Sequence, residues 1–474
     1  NANSLRAKLA SVVAGTTKTS FDFAGFKPSD RAKNVISDIP KKYGKTPKYR
    51  FIKGEADKEL KTVSRDELIR ALEKAHDTVW QGGRFDPTDA FDEVSKLLFC
   101  KLKDEKNTTK GDPYSFQIGT HELPEEVYKR INGIYQKAKK EDAEVFKDDI
   151  KLEPKVVYNV VEHLQTLAIN KIDLDTKGVA FEVFMTDFFK GKMGQFFTPR
   201  PIIQFCVKMM NPEKGELVLD PACGSGGFLL NALDFVREYA SKNYDEQEAR
   251  DHWHGFAKDN LYGIEINDKI ARVCKMNMII HDDGHTNVIS TDALENFEDI
   301  EKIHPKFEKD HFDLILTNPP FGATIKRTEK DYLDKYKLGE DKPNQKTEIL
   351  FIERCIGFVK PKTGRIAIVL PDGILTNSSL QNVRDFIMER CQILGVVSLP
   401  QFAFAHFGAG VKSSLVFLRR KGENESIKDY PIFMSIAEHI GYDATGRADA
   451  KNDLDTIFDE YNNFLKNPKN YAGI

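Results

Sequence analysis

Cysteine is sparse in this chain and carries no pattern where it occurs. Six residues, Cys100, Cys206, Cys223, Cys274, Cys355 and Cys391, are scattered over 474 positions without a C-x-x-C pair. That spacing argues against zinc ligation and against a disulfide framework, so no metal is expected and reduced thiols are. Long apolar runs are missing as well. No stretch of about 18 uninterrupted apolar residues occurs, which excludes an ordinary transmembrane helix, and no membrane partner is expected. No charged-then-apolar leader opens the chain, which starts Asn1-Ala2-Asn3 rather than with Met. A trimmed, cytoplasmic protein is therefore expected. A large net charge is absent too: the balance is −3, unlike a chain that coats DNA unaided. There are no internal repeats and no low-complexity tracts.

What is present is enough apolar material for large cores, with 40% hydrophobic and 11% aromatic residues. The length predicts two or three domains. Charge is unevenly spread. Residues 1–60 hold 13 Lys and Arg against 6 Asp and Glu, an excess of seven positive charges, so the remainder must sum to −10. With Pro28, Pro40, Gly44 and Pro47 as breakers, residues 1–62 read as a basic arm or linker. Such an arm suits either a nucleic-acid contact or a solvated tether.

Ser64-Arg65-Asp66-Glu67 has the form of a capping box. Leu68, Leu72, Ala75 and Val79 follow at helical spacing. A second helix is expected from about Phe91 to Lys103, with Phe91, Val94, Leu98 and Leu102 on one face. Further helical pattern fills 123–147 and 155–169. Residues 63–175 thus read as an all-helical domain.

From 176 the texture changes. Seven short apolar runs alternate with helical patterns: Leu217–Leu219, Leu261–Ile264, Asn287–Ile289, Phe312–Leu316, Ile366–Leu370, Ile393–Val397 and Ser414–Leu418. Continuous apolar runs between helices mean strands buried on both faces, hence a mostly parallel α/β sheet of seven strands, Rossmann-like, over 176–425. Ligands then sit at the carboxyl ends of the strands. The charged stretch 322–346 reads as a mobile loop beside the site, and 426–474 as a helical extension.

Chemistry concentrates at those strand ends. Asp220-Pro221-Ala222-Cys223-Gly224-Ser225-Gly226-Gly227 joins the first run to a helix. Its glycines let the backbone turn sharply and let a ligand approach main-chain amides. A plain tight turn is the alternative. No Gly-Lys-Ser/Thr follows, so it is not a phosphate loop. Glu265 ends the second run, where a carboxylate can accept from two ribose hydroxyls. Asp292 follows the third, with Ala293 beside it, where it can accept from an exocyclic amine. Either acid alone reads as a solvated strand end; the series Asp220, Glu265, Asp292 at successive ends is harder to dismiss.

Asn318-Pro319-Pro320-Phe321 ends the fourth run. A nucleobase amine is a poor nucleophile because its lone pair is delocalised into the ring. Two acceptors, the Asn318 side-chain oxygen and the Pro319 carbonyl, can hold its protons out of the plane and expose the lone pair. The prolines stiffen the tip, and Phe321 offers a face to an extruded base. An ordinary Asn-Pro turn is the alternative. Ahead of the sheet, Gly194-Gln195-Phe196-Phe197-Thr198-Pro199 suits a helix start, with Thr198 as N-cap and Pro199 in the first turn.

In this order the motifs resemble gamma-type N6-adenine DNA methyltransferases. More narrowly, they resemble the methylation subunit of type I restriction-modification systems. The resemblance covers about 64–425 and includes Pro87-Thr88-Asp89-Ala90-Phe91-Asp92-Glu93 and Gly410-Val411-Lys412-Ser413-Ser414. It implies a site-specific, adenine-N6 DNA methyltransferase with S-adenosylmethionine as cofactor. Asp220, Ala222, Gly224, Ser225 and Gly226 would hold the methionine part, helped by Gln195, Phe197, Thr198 and Pro199. Glu265 would hold the ribose, Asp292 and Ala293 the adenine ring, and Asn318 to Phe321 the target adenine, with Asn318 bordering the cofactor. The resemblance also implies DNA as partner, a specificity subunit that reads sequence, a second copy of the chain and a restriction subunit.

Two other classes compete. A methyltransferase acting on protein glutamine amides also uses Asn-Pro-Pro, usually followed by Tyr, and would be much shorter. A silent scaffold would need no intact motifs. A nicotinamide dehydrogenase is disfavoured by the spacing from the glycine loop to Glu265.

Overall fold

The computed structural model describes residues 9–14, 17–22, 35–36, 47–80, 84–85, 87–141, 148–172, 176–177, 180–181, 184, 198–281, 287–405, 410–427 and 429–471. The chain divides into two compact units, Asn1–Phe189 and Lys190–Ile474.

In the first unit, β1 (Leu9–Ala14), β2 (Thr17–Asp22) and β3 (Val35–Ile36) form an antiparallel sheet. An arm or linker was expected there. The apolar runs Val12-Val13 and Val35-Ile36 are too short to stand out between Gly and Pro breakers. The helices follow as α1 (Arg65–Trp80), α2 (Pro87–Asn107), α3 (Pro124–Glu141) and α4 (Pro154–Leu164). The capping box closes in both directions: the Ser64 amide donates to Glu67 at 3.0 Å, and the Glu67 amide to the Ser64 hydroxyl at 3.4 Å. Leu68, Leu72, Ala75 and Val79 of α1 are all buried. Full burial stabilises by about 1.5–3 kcal/mol for each Leu or Val side chain. α2 buries Phe91, Val94, Leu98 and Leu102 on the face its spacing predicts.

The second unit is built on a sheet of eight strands: β4 (Val218–Asp220), β5 (Leu261–Glu265), β6 (Val288–Ser290), β7 (Leu314–Thr317), β10 (Arg365–Pro371), β11 (Cys391–Ser398), β12 (Ser413–Arg420) and β13 (Phe433–Ile436). The hairpin strands β8 (Thr324–Lys326) and β9 (Asn344–Lys346) lie outside it. Across the sheet the order is β13-β11-β12-β10-β7-β4-β5-β6. Pairing is parallel from β6 to β10. β12 is antiparallel to both its neighbours. The seven expected runs are all strands. Direction is not written in an apolar run, which is why the antiparallel β12 was not foreseen. The strands β4, β5, β6, β7 and β10 are buried on both faces, beneath α5 (Arg200–Met210), α6 (Gly227–Asn243), α7 (Glu246–Asn260), α8 (Asp268–Ile280) and α9 (Thr347–Phe358).

The chain leaves β4 for β5 and β6 on one side, then returns to the other side as β7 and β10. The point of reversal, between β4 and β7, is where an α/β sheet opens a crevice at its carboxyl edge.

Two expectations fail in this unit. Residues 322–346 are not a loose loop. They form the β8–β9 hairpin around a 3₁₀ turn, Asp331–Lys335, and bury Tyr332, Leu333, Tyr336 and Leu338. Those four apolar anchors are spread among many charges, so the composition hid them. Residues 426–474 are not simply helical. They supply the edge strand β13, the hairpin β14 (Ile440–Tyr442) with β15 (Ala448–Asn452), and only then a long helix, α10 (Leu454–Lys466), against α5. β13 buries one side chain of its four, Phe433, and leaves Met434 and Ile436 exposed, so it shows no alternation signal. Among the described residues no helix is long and apolar enough to cross a membrane.

Candidate functional site

The carboxyl ends of β4, β5, β6 and β7 carry the four polar side chains that the sequence singles out. Asp220, the last residue of β4, is 1% exposed. Its Oδ1 accepts from the Ala222 amide at 3.0 Å and from the Thr317 hydroxyl at 2.7 Å. Thr317 is the last residue of β7, so this bond ties the glycine loop to the strand that presents Asn318. Gly226 adopts φ +88°, and a β-carbon there would sit 2.8 Å from Cys274 Sγ, so the loop requires glycine at this point.

Glu265 is also buried. Its Oε2 accepts from the Gly224 amide at 3.1 Å and its Oε1 from the Asn267 amide at 2.8 Å. Burial pushes the Asp220 carboxyl up to about 7, with the Glu265 charge adding to it and the Thr317 and Ala222 bonds opposing it. Burial raises Glu265 too, against three backbone hydrogen bonds. Among the described residues no Lys or Arg pairs with either carboxyl. Two buried acids without a counter-cation suit a ligand that brings positive charge and hydroxyl donors.

Asp292 lies just past β6. Its Oδ1 accepts from the Leu294 amide at 3.0 Å. Its Oδ2 accepts from the Tyr332 hydroxyl at 2.9 Å and faces the Lys330 ammonium at 3.2 Å. Ala293 points into the core and is 4% exposed. Ile266, directly after Glu265, is 65% exposed, a large apolar side chain left at this polar edge. Sequence reasoning missed it, because Ile266 lies beyond the Leu261–Ile264 run and exposure just past a strand end is not written in the residues.

Asn318 follows β7. Its amide Nδ2 donates to the Thr198 hydroxyl at 2.9 Å. Its Oδ1 is buried and has no hydrogen-bond partner. Thr198 was expected to cap α5. Instead the cap is Pro199, whose carbonyl accepts from the Ile202 and Ile203 amides, and the Thr198 hydroxyl serves Asn318. No described donor reaches the Pro319 carbonyl. The Pro320 carbonyl is held by the Thr347 hydroxyl at 3.0 Å, and the Gly322 amide by Glu348 at 3.2 Å. Thr347 and Glu348 begin α9 and had no motif to reveal them. Phe321 meets Phe404 edge to face, with ring centroids 6.3 Å apart. Gln195 and Phe197 lie outside the described residues.

The four strand ends therefore come together on one edge. They offer an acidic edge beside a proline-stiffened tip with two acceptors, Asn318 Oδ1 and the Pro319 carbonyl.

Comparison with known proteins adds to this geometry. The sequence profile of the N-6 DNA Methylase family matches residues 172–473. The methylase subunit of the type I restriction enzyme EcoEI from Escherichia coli is 28% identical over 260 residues, 53% of this chain and 49% of that one. The EcoKI methylase subunit of Escherichia coli strain K12 is 25% identical over 398 residues, 76% of this chain and 68% of that one. The chain thus spans about half the length of the first of these relatives. A solved chain of the type I R-M system superposes with a TM-score of 0.61 at 20% identity, covering 86% of this chain and 84% of that one. The type I restriction-modification methyltransferase subunit of Streptococcus thermophilus gives 0.57 at 18% identity, covering 85% and 93%. These two likenesses establish the fold.

Proposed function

The chain belongs to the N-6 DNA methylase family, and on that premise we propose that it transfers a methyl group from S-adenosylmethionine to the N6 amine of adenine in DNA, as the modification subunit of a type I restriction-modification complex. One observation carries the reading: a buried, unpartnered Asn318 oxygen stands next to the Pro319 carbonyl on a stiffened tip at the switch point of the sheet.

Thr198 takes the Asn318 amide, which turns the Asn318 oxygen toward an incoming donor. That oxygen and the Pro319 carbonyl accept the two protons of the adenine amine and draw them out of the ring plane. The nitrogen lone pair is then free to attack. A base stacked inside a duplex cannot reach an acceptor this deeply placed, so the adenine must swing out, and Phe321 offers it a ring face. Asp220, with the loop through Ala222, Gly224, Ser225 and Gly226, would hold the methionine part of the cofactor. Glu265 would hold the ribose, and Asp292 the adenine amine. When bound, S-adenosylmethionine supplies an electrophilic methyl group on a sulfonium that leaves readily. The chain's own contribution is then position and acceptor geometry. No cysteine is needed as a nucleophile: burial pushes the thiols of Cys206 and Cys355 far up, so they stay protonated.

The reading brings partners with it. A specificity subunit would read the DNA sequence, a second copy of this chain would help close around the duplex, and a restriction subunit would join the full complex. Supporting this are the names of the relatives, methylase subunits of type I restriction enzymes, and a net charge of −3, too low for this chain to clamp DNA alone.

The test is tritium transfer from labelled S-adenosylmethionine to DNA from a host without methylation, with and without a specificity subunit, followed by digestion to nucleosides. Label in N6-methyladenine only with the partner is expected. Label without it would mean that this chain reads DNA by itself. Label in protein glutamine, or none despite cofactor binding, would overturn the proposal.

A further inference from the structure

Residues 322–346 leave the Asn318–Phe321 tip and return to α9, yet their interior reaches away from the tip to the loop after β6. The Tyr332 hydroxyl donates to Asp292 Oδ2 at 2.9 Å. The Lys330 ammonium lies 3.2 Å from that same oxygen and 3.5 Å from Glu295 Oε1. The Tyr336 hydroxyl donates to the Leu294 carbonyl at 2.9 Å and accepts from Arg354 Nε at 2.7 Å. Arg354 also donates to the Leu294 carbonyl at 3.1 Å and to the Glu295 carbonyl. The loop that carries Asp292 is thus gripped by the hairpin and by α9 together.

A carboxylate has about four acceptor positions. The Leu294 amide takes one on Oδ1, and Tyr332 with Lys330 takes both on Oδ2. The two Oδ2 partners differ in kind. The Tyr332 ring is 2% exposed and packs edge to face with Tyr336. Burial, with the Asp292 charge beside it, pushes the Tyr332 phenol well above its ordinary range, so it remains a donor. Lys330 has a side chain 38% exposed on a flexible stem, and an ion pair of that kind contributes only about 0–1 kcal/mol.

Resting on the function proposed above, we infer that Tyr332 and Lys330 are positioning residues for the adenine of the cofactor. Tyr332 fixes the Asp292 carboxylate, and Lys330 competes with the adenine amine for its Oδ2. The pair then sets both affinity and the preference for a 6-amino over a 6-oxo purine. At position 6 itself a 6-oxo ring presents an acceptor, which suits Lys330 and opposes the Asp292 oxygen that the amine would satisfy.

The test is calorimetric binding of S-adenosylhomocysteine and of its 6-oxo counterpart S-inosylhomocysteine to the intact protein, which avoids the sulfonium charge and any need for DNA. Wild type should prefer the amino compound. Lys330→Ala should tighten the amino compound by up to about fivefold, the factor corresponding to a surface ion pair. The same change should not tighten the 6-oxo compound. Tyr332→Phe should weaken the amino compound by about twofold to tenfold, one neutral hydrogen bond, and narrow the preference. Equal shifts for both compounds in either variant would mean a merely structural role and overturn the inference. So would a weaker amino complex in Lys330→Ala, whose exposed side chain leaves little room for misfolding. Wild type that binds S-adenosylhomocysteine without amino preference would sink this inference alone. Wild type that binds neither compound would sink the underlying function with it.

Discussion

The two halves of the site are finished to different degrees. On the side proposed for the cofactor, each of the three carboxylates is already tied to the main chain: Asp220 to the Ala222 amide, Glu265 to the Gly224 and Asn267 amides, Asp292 to the Leu294 amide. At the tip after β7, Asn318 commits its amide nitrogen to Thr198 and leaves its oxygen buried and unpartnered. A buried acceptor without a donor costs about 1–3 kcal/mol. Under the proposed function the first half is a receptor held by backbone, and the second keeps an unmet hydrogen bond for the donor of the target base. One side-chain link between them is the Thr317 hydroxyl on Asp220. Cofactor binding and methyl transfer should accordingly be separable by mutation.

The largest expected effect breaks the tip alone. Asn318→Ala should lower methyl transfer at least about 100-fold, the scale seen when one preorganised polar group is removed from a reacting centre. Single-turnover transfer to DNA measures it. Next comes the cofactor side alone. Gly226→Ala forces a β-carbon to within 2.8 Å of Cys274 Sγ at φ +88°. It should destabilise the fold by about 1–3 kcal/mol, readable as a lower Tm and a lower urea midpoint. An unchanged midpoint would show that the loop relaxes freely. Thr347→Val should follow, releasing the Pro320 carbonyl. Transfer should fall by about tenfold through misplacement of the tip, with cofactor affinity unmoved. If affinity fell in step, the two halves would be one.

The smallest effect is a pH dependence. Asp220 titrates near 7 rather than at its ordinary 3.8 because it is buried. Its ionised fraction in the folded protein rises about tenfold between pH 6 and 8, so affinity for a cationic cofactor should rise over that window. Asp220→Asn should flatten the profile. The sign for the unliganded fold is opposite. Between 3.8 and about 7 the native state holds a proton that the unfolded chain has released, so stability contributed by Asp220 falls as pH rises through that range. Thermal melts of wild type and Asp220→Asn across it should converge at the acid end.

How much of this could be read from residues alone follows from what a run of residues can encode. The strands β4, β5, β6, β7, β10, β11 and β12 were visible because their apolar runs are too short for helices and lie between helical patterns. The edge strand β13 was not, since one buried residue in four leaves no alternation to read. The hairpin of 322–346 hid its buried tyrosines among charges. Asp220, Glu265, Asp292 and Asn318 were visible as candidates because each sits at the end of a run, and parallel strands bring such ends to one edge. Thr347, Glu348, Tyr332 and Lys330 were not, because these partners lie 26 or more positions away in sequence and meet only through the fold. Thr198 was misread as a cap because its second possible partner, Asn318, is 120 positions distant.

The separation of the two halves is tested most directly by the dissociation constant of Asn318→Ala for S-adenosylmethionine, measured by calorimetry beside wild type. The account predicts values within about twofold, since losing one neutral acceptor at the tip leaves every backbone-held carboxylate in place. A loss of affinity of about tenfold or more would contradict it, and would mean that Asn318 belongs to the cofactor receptor rather than to the target base.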